Sequence, residues 1–98
     1  MIYELLKKLN MPVAYYKFES KVELPFLIYY ENGSNNFLAD NYVYDADYNY
    51  VIEYYFNTKD TNTEKKIENL FNENEIVWRK GSDAYISSEQ IFVIPYYI

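Results

Sequence analysis

Four adjacent tyrosine pairs constrain this chain most: Tyr15-Tyr16, Tyr29-Tyr30, Tyr54-Tyr55 and Tyr96-Tyr97, each inside a run of strand-forming residues. Successive residues of a strand point to opposite faces of its sheet. Each pair therefore puts one ring on either side. A chain of 98 residues builds one domain, here residues 1–98, and has little material left to cover both faces of its sheet.

Helical spacing is seen twice. Ile2, Leu5, Leu6 and Leu9 recur at i, i+3, i+4 and i+7, which predicts a short N-terminal helix that Asn10 and Pro12 end. Thr61 and Glu64 have capping-box spacing, and Ile67, Leu70 and Phe71 give the helix that follows one apolar stripe. Glu64 and Glu68 are expected to lie away from that stripe.

The remaining runs read as strands: Val13 to Phe18, Phe26 to Tyr30, an irregular Asn36 to Tyr44, Tyr48 to Asn57, Ile76 to Lys80, and a last one from Ile86 or Glu89 to Ile98. Asn32-Gly33 signals a hairpin turn, because both residues tolerate positive φ. Asp40-Asn41 suggests a bulge or second turn. Pro95 has no amide to donate, which argues for an edge position or a bulge. The expected fold class is α+β, with an antiparallel sheet of about four to six strands and two helices packed on one face. The expected order is α-β-β-β-β-α-β-β.

Parity divides the strands. Tyr48, Tyr50, Ile52, Tyr54 and Phe56 are expected inward, as are Phe26, Ile28 and Tyr30 and then Phe92, Ile94 and Tyr96. The uncovered face would carry Leu27, Tyr29 and Glu31, then Val51, Glu53 and Tyr55, and at the C-terminus Ile91, Val93 and Tyr97. Tyr42 and Tyr44, in the irregular stretch, complete the candidate interface. Such a face exceeds what a monomer usually leaves in water, and tyrosine is enriched at protein interfaces. Tyrosine is also an ordinary resident of half-solvated strands. Both readings stand at this level.

The chemistry of catalysis is poorly supplied. There is no histidine and no cysteine, so no serine has an imidazole to activate it and no thiolate exists to bind metal. Two glycines, Gly33 and Gly81, cannot make a phosphate-binding loop. Asp45-Ala46-Asp47-Tyr48-Asn49 imitates the start of a calcium loop but has Tyr50 where glycine is required and Phe56 where the bidentate glutamate belongs; it reads as a turn between strands. The expectation is no enzyme, no metal and no cofactor. Fifteen acids against nine bases give a net charge of −6, which opposes sequence-specific nucleic-acid binding. No apolar run reaches the length of a membrane span, and the N-terminus lacks the features of a signal peptide.

Several stretches together carry a resemblance: Met1-Ile2-Tyr3 before a leucine helix, Pro12-Val13-Ala14-Tyr15, and Leu24-Pro25-Phe26-Leu27-Ile28-Tyr29-Tyr30. To these add Asn35-Asn36-Phe37-Leu38-Ala39-Asp40-Asn41, Tyr50-Val51-Ile52-Glu53-Tyr54-Tyr55 and Ile91-Phe92-Val93-Ile94. In texture and order they resemble the small tail-completion proteins of siphophages and Gram-positive prophages, the tail terminator or head–tail joining family. The resemblance implies an α+β subunit that forms a ring, commonly a hexamer, at the head-proximal end of the tail tube. It implies tail-tube and head–tail connector proteins as partners, DNA passing through the lumen, and a passage from host cytoplasm to virion. An acidic lumen would let DNA slide, and Glu31 and Glu53 are candidates to line it or to face a neighbour. The alternative is a small acidic inhibitor or immunity-type protein, a possible DNA mimic, binding one protein partner; the interleaving of acids with tyrosine and lysine counts against it.

Overall fold

The structure is a computed structural model. It describes residues 2–39 and 42–98, with the side chains of all of these except 34–39 and 42–48. Chain order is α1 (Ile2–Lys7), β1 (Val13–Tyr15), β2 (Phe26–Ala39), β3 (Tyr42–Phe56), α2 (Thr61–Glu73), β4 (Arg79–Lys80), β5 (Ala84–Ile86) and β6 (Ile91–Tyr97). The class is α+β, as the patterning predicts. The order is α-β-β-β-α-β-β-β, because the expected strand from Asn36 to Tyr44 is divided between β2 and β3 and the last expected strand splits into β5 and β6.

The six strands form one sheet, ordered β1-β2-β3-β6-β4, with β5 also on β6. All pairs are antiparallel except β1 with β2. A parallel pair needs a crossover, and residues 16–25 supply it.

Both helices pack on one face. Leu6 of α1 and Ile67 and Phe71 of α2 share a core with Leu27, Ile52, Tyr54, Ile94 and Tyr96 of the sheet, all at most 1 % exposed. Each such apolar side chain contributes about 1.5–3 kcal/mol on burial. The Phe71 and Tyr96 rings meet edge to face at 5.7 Å. The cap of α2 is Asp60, one residue before the expected Thr61: its side chain accepts from the amides of Asn62 and Thr63.

Two turn readings are corrected. Asn32-Gly33 does not reverse the chain. Gly33 takes φ 82° inside β2, where the register shifts between Glu31 and Ser34. Its left-handed conformation bulges the strand instead of ending it. Residues 45–49 are not a turn either: they lie within β3, with Phe37 opposite Asp45 and Asn35 opposite Asp47. Asp40 and Asn41 lie outside the described residues. Pro95 is in an interior strand, against expectation. Its carbonyl accepts from the Gly81 amide at 2.7 Å, so its nitrogen faces that side too, where β4 has ended and β5 has not begun. The missing amide thus falls at a break in the ladder.

β2 and β3 pair from Phe26–Tyr55 to Ala39–Tyr42. β1 reaches only Leu27 to Tyr29 of β2, and β6 pairs with β3 only from Val51 to Phe56. Residues 32–39 and 42–49 therefore leave the sheet as a two-stranded arm, with no further strand beside it among the described residues. At about 3.3 Å per residue the fourteen residues of β2 span about 46 Å, close to the 50 Å longest dimension of the molecule.

Candidate interaction surface

The face opposite the helices is set by register. Leu27 pairs with Tyr54 and Ile52 with Tyr96 on the helix side. Phe26, Ile28 and Tyr30 consequently join Val51, Glu53 and Tyr55, and then Val93, Pro95 and Tyr97, on the outer face. This corrects the expectation for β2. Leu27 is fully buried in the core, and Tyr29 packs against that core, edge to face with Tyr15 at 5.2 Å. Glu31 pairs with Tyr50 on the helix side, its amide donating to the Tyr15 hydroxyl at 3.4 Å. Phe26, Ile28 and Tyr30 take their places. Val51, Glu53, Tyr55 and Tyr97 are on the outer face as expected. The side chains of Tyr42, Tyr44 and Tyr48 lie outside the described residues.

One carboxylate organises the middle of this face. Glu53 accepts from the Tyr55 hydroxyl at 2.7 Å and from the Tyr30 hydroxyl at 3.2 Å. Burial, and then the Glu53 carboxylate, push both phenols above their ordinary value, so both remain donors at any physiological pH. Val51 is 3 % exposed, with Tyr30 and Tyr97 beside it in register. The Arg79 guanidinium lies 4.4 Å over the Tyr97 ring. Phe26 stacks on Tyr55 at 4.9 Å.

The 16–25 crossover leans on one edge of it. Tyr16 meets Tyr30, and Phe18 meets Phe26, both edge to face. Between the crossover and the start of β6 is an open groove of about 720 Å³, whose lining includes Lys17, Phe18, Lys21, Phe26, Ile28 and Ile91.

A second cluster, on the helix side, escaped the sequence reading. Glu64 is 2 % exposed, although it was expected to lie clear of the apolar stripe. Its Oε1 is 2.7 Å from Lys80 Nζ and its Oε2 is 2.8 Å from Lys59 Nζ. Lys80 also pairs with Glu68 at 2.9 Å, Lys59 with Asp83 at 2.9 Å, and the Tyr96 hydroxyl donates to Glu68 at 2.8 Å. The signal was present: residues 64, 67 and 71 stand at i, i+3 and i+7, so Glu64 shares the stripe's spacing. Every charge in the cluster has an opposite partner, so it fastens α2 to β4 and to residues 81–83, which do not turn the chain as Gly81-Ser82-Asp83 would suggest but carry it on from β4 to β5 along β6. Among the described residues no group of three or more acidic side chains is placed to hold a metal ion, and no helix is long and apolar enough to cross a membrane.

No protein-family model, curated protein or solved structure matches this chain.

Proposed function

We propose that the protein is a virion structural subunit of a phage or prophage, of the tail-terminator and head–tail joining class. In this reading it assembles with copies of itself into a ring and binds tail-tube and connector subunits. The observation that carries it is the sheet face opposite the helices, where an aliphatic and tyrosine surface runs across β2, β3 and β6 with no helix over it. Surfaces of that kind mark protein contacts. The β2–β3 arm adds reach, since a two-stranded ribbon outside a sheet is marginal in water by itself and gains by packing against a neighbour. The resemblance of the sequence stretches to tail-completion proteins supplies the identity of the partners.

The acidic-inhibitor reading draws less support. Glu64, Glu68 and Asp83 are neutralised by Lys59 and Lys80 within the chain, and Glu53 is engaged by two tyrosines. A mimic of DNA needs such carboxylates free and in rows.

The test is to add the protein to polymerising tail-tube subunits and measure tube lengths by electron microscopy. Arrested, capped tubes are expected. Tubes that grow to the same length with and without it, together with no binding to connector subunits, overturn the proposal.

A further inference from the structure

The arm and the groove lie at opposite ends of the same strand. Phe26 and Ile28, at the start of β2, line the groove; residues 32–39, at its far end, form the arm with 42–49 of β3. From Ile28 to Asn36 is about 26 Å of extended chain. A paired antiparallel ribbon running away from the groove cannot turn back to fill it.

Their chemistry is complementary. Residues 32–39 and 42–49 contain Asp45 and Asp47, six large apolar or aromatic residues (Phe37, Leu38, Tyr42, Val43, Tyr44 and Tyr48), and no lysine or arginine. The groove offers exposed Lys17 and Lys21 above an apolar floor that includes Phe26, Ile28 and Ile91. Among the described residues its one acidic lining residue is Glu89.

We infer that the β2–β3 arm of one copy seats in the Lys17–Lys21 groove of a second copy, making the head-to-tail contact from which the assembly is built. The inference rests on the self-assembly reading above and names the two surfaces that meet. A contact between two different patches repeats from copy to copy, and it closes into a ring when its rotation allows.

The test uses the full chain and native mass spectrometry. K17E/K21E alters the groove and D45K/D47K alters the arm; the groove lysines are exposed, and circular dichroism checks that each variant keeps its fold. Each double variant alone is expected to lose the oligomer, with association weakened about tenfold or more for two reversed charge pairs. Equal mixing of the two variants is expected to restore pairwise association, because each supplies what the other then complements. As a second measurement, K21C and D45C in one chain are expected to give an intermolecular disulfide on oxidation, against a background free of native cysteine. An oligomer indifferent to both reversals, with no disulfide, overturns the arm-in-groove contact and leaves self-assembly standing. A wild-type monomer with no disulfide at any concentration overturns both. Reversals that abolish only tail-tube binding assign the groove to that protein and overturn the inference.

Discussion

Lys80 Nζ sits 2.7 Å from Oε1 of Glu64, a carboxylate only 2 % exposed. This pair joins β4, a strand of two residues, to the first turn of α2. Removing one partner from a buried pair costs more than the pair itself contributes, because the remaining charge is stranded. Glu64→Ala takes one partner from each of Lys80 and Lys59, which keep Glu68 and Asp83, and removes the buried acceptor between α2 and β4; it is expected to lower stability by about 1–3 kcal/mol. Lys59→Ala, whose side chain is 48 % exposed, is expected to cost under about 1 kcal/mol. Urea unfolding of the two variants gives the comparison, and equal losses would contradict the assignment.

The Asp60 cap makes a prediction in acid. Hydrogen bonds from the Thr63 side chain and amide hold the Asp60 carboxyl below its ordinary 3.8. A depressed folded-state value means that this stabilisation is present above the ordinary value and disappears as pH falls through the folded one. Asp60→Ala is expected to lower the melting temperature at neutral pH and to lower it progressively less in strong acid, read from thermal melts across that range.

Alkali is the other limit. Burial, then the Glu68 hydrogen bond, raises the Tyr96 phenol above its ordinary 10.0, and Tyr55 is raised by burial and Glu53. Lys59 is raised by its bonds to Glu64 and Asp83; Lys80 is raised by Glu64 and Glu68 against the opposing pull of burial. In each case the folded chain holds a proton that the unfolded chain releases first. Stability is therefore complete below the ordinary values and falls as pH rises past about 10. Tyr96→Phe removes one such proton and should flatten the decline, measured as the urea midpoint against pH.

Gly81 and Pro95 form a steric lock. A Cβ at Gly81 would stand 2.6 Å from Pro95 Cγ. Gly81→Ala is expected to cost about 1–3 kcal/mol as overpacking. Adding Pro95→Ala should recover part of that loss in a double-mutant cycle. Strict additivity would mean that the clash is relieved elsewhere.

What the sequence made legible follows from periodicity. The parity of β3 was readable because Asn49, Glu53 and Asn57 mark the face opposite Ile52, Tyr54 and Phe56. Phe26-Leu27-Ile28-Tyr29-Tyr30 is apolar at every position, so parity inside the run carries no information. Only pairing Leu27 with Tyr54 decides which face it joins, and that fact belongs to the tertiary structure. Gly33 misled for a related reason: positive φ serves a bulge as well as a turn, and the choice depends on whether the partner strand continues. Glu64 was missed because a charge is assumed to face water until its partners are known, and Lys80 is sixteen residues away.

The central claim is that this chain works by assembling with copies of itself. Native mass spectrometry of the full-length protein alone, over a range of concentrations, tests it most directly. The account predicts one closed oligomer of fixed stoichiometry that dissociates to folded monomer on dilution. A folded monomer at every concentration, with the Tyr30, Tyr55 and Tyr97 face left without a partner, would contradict it.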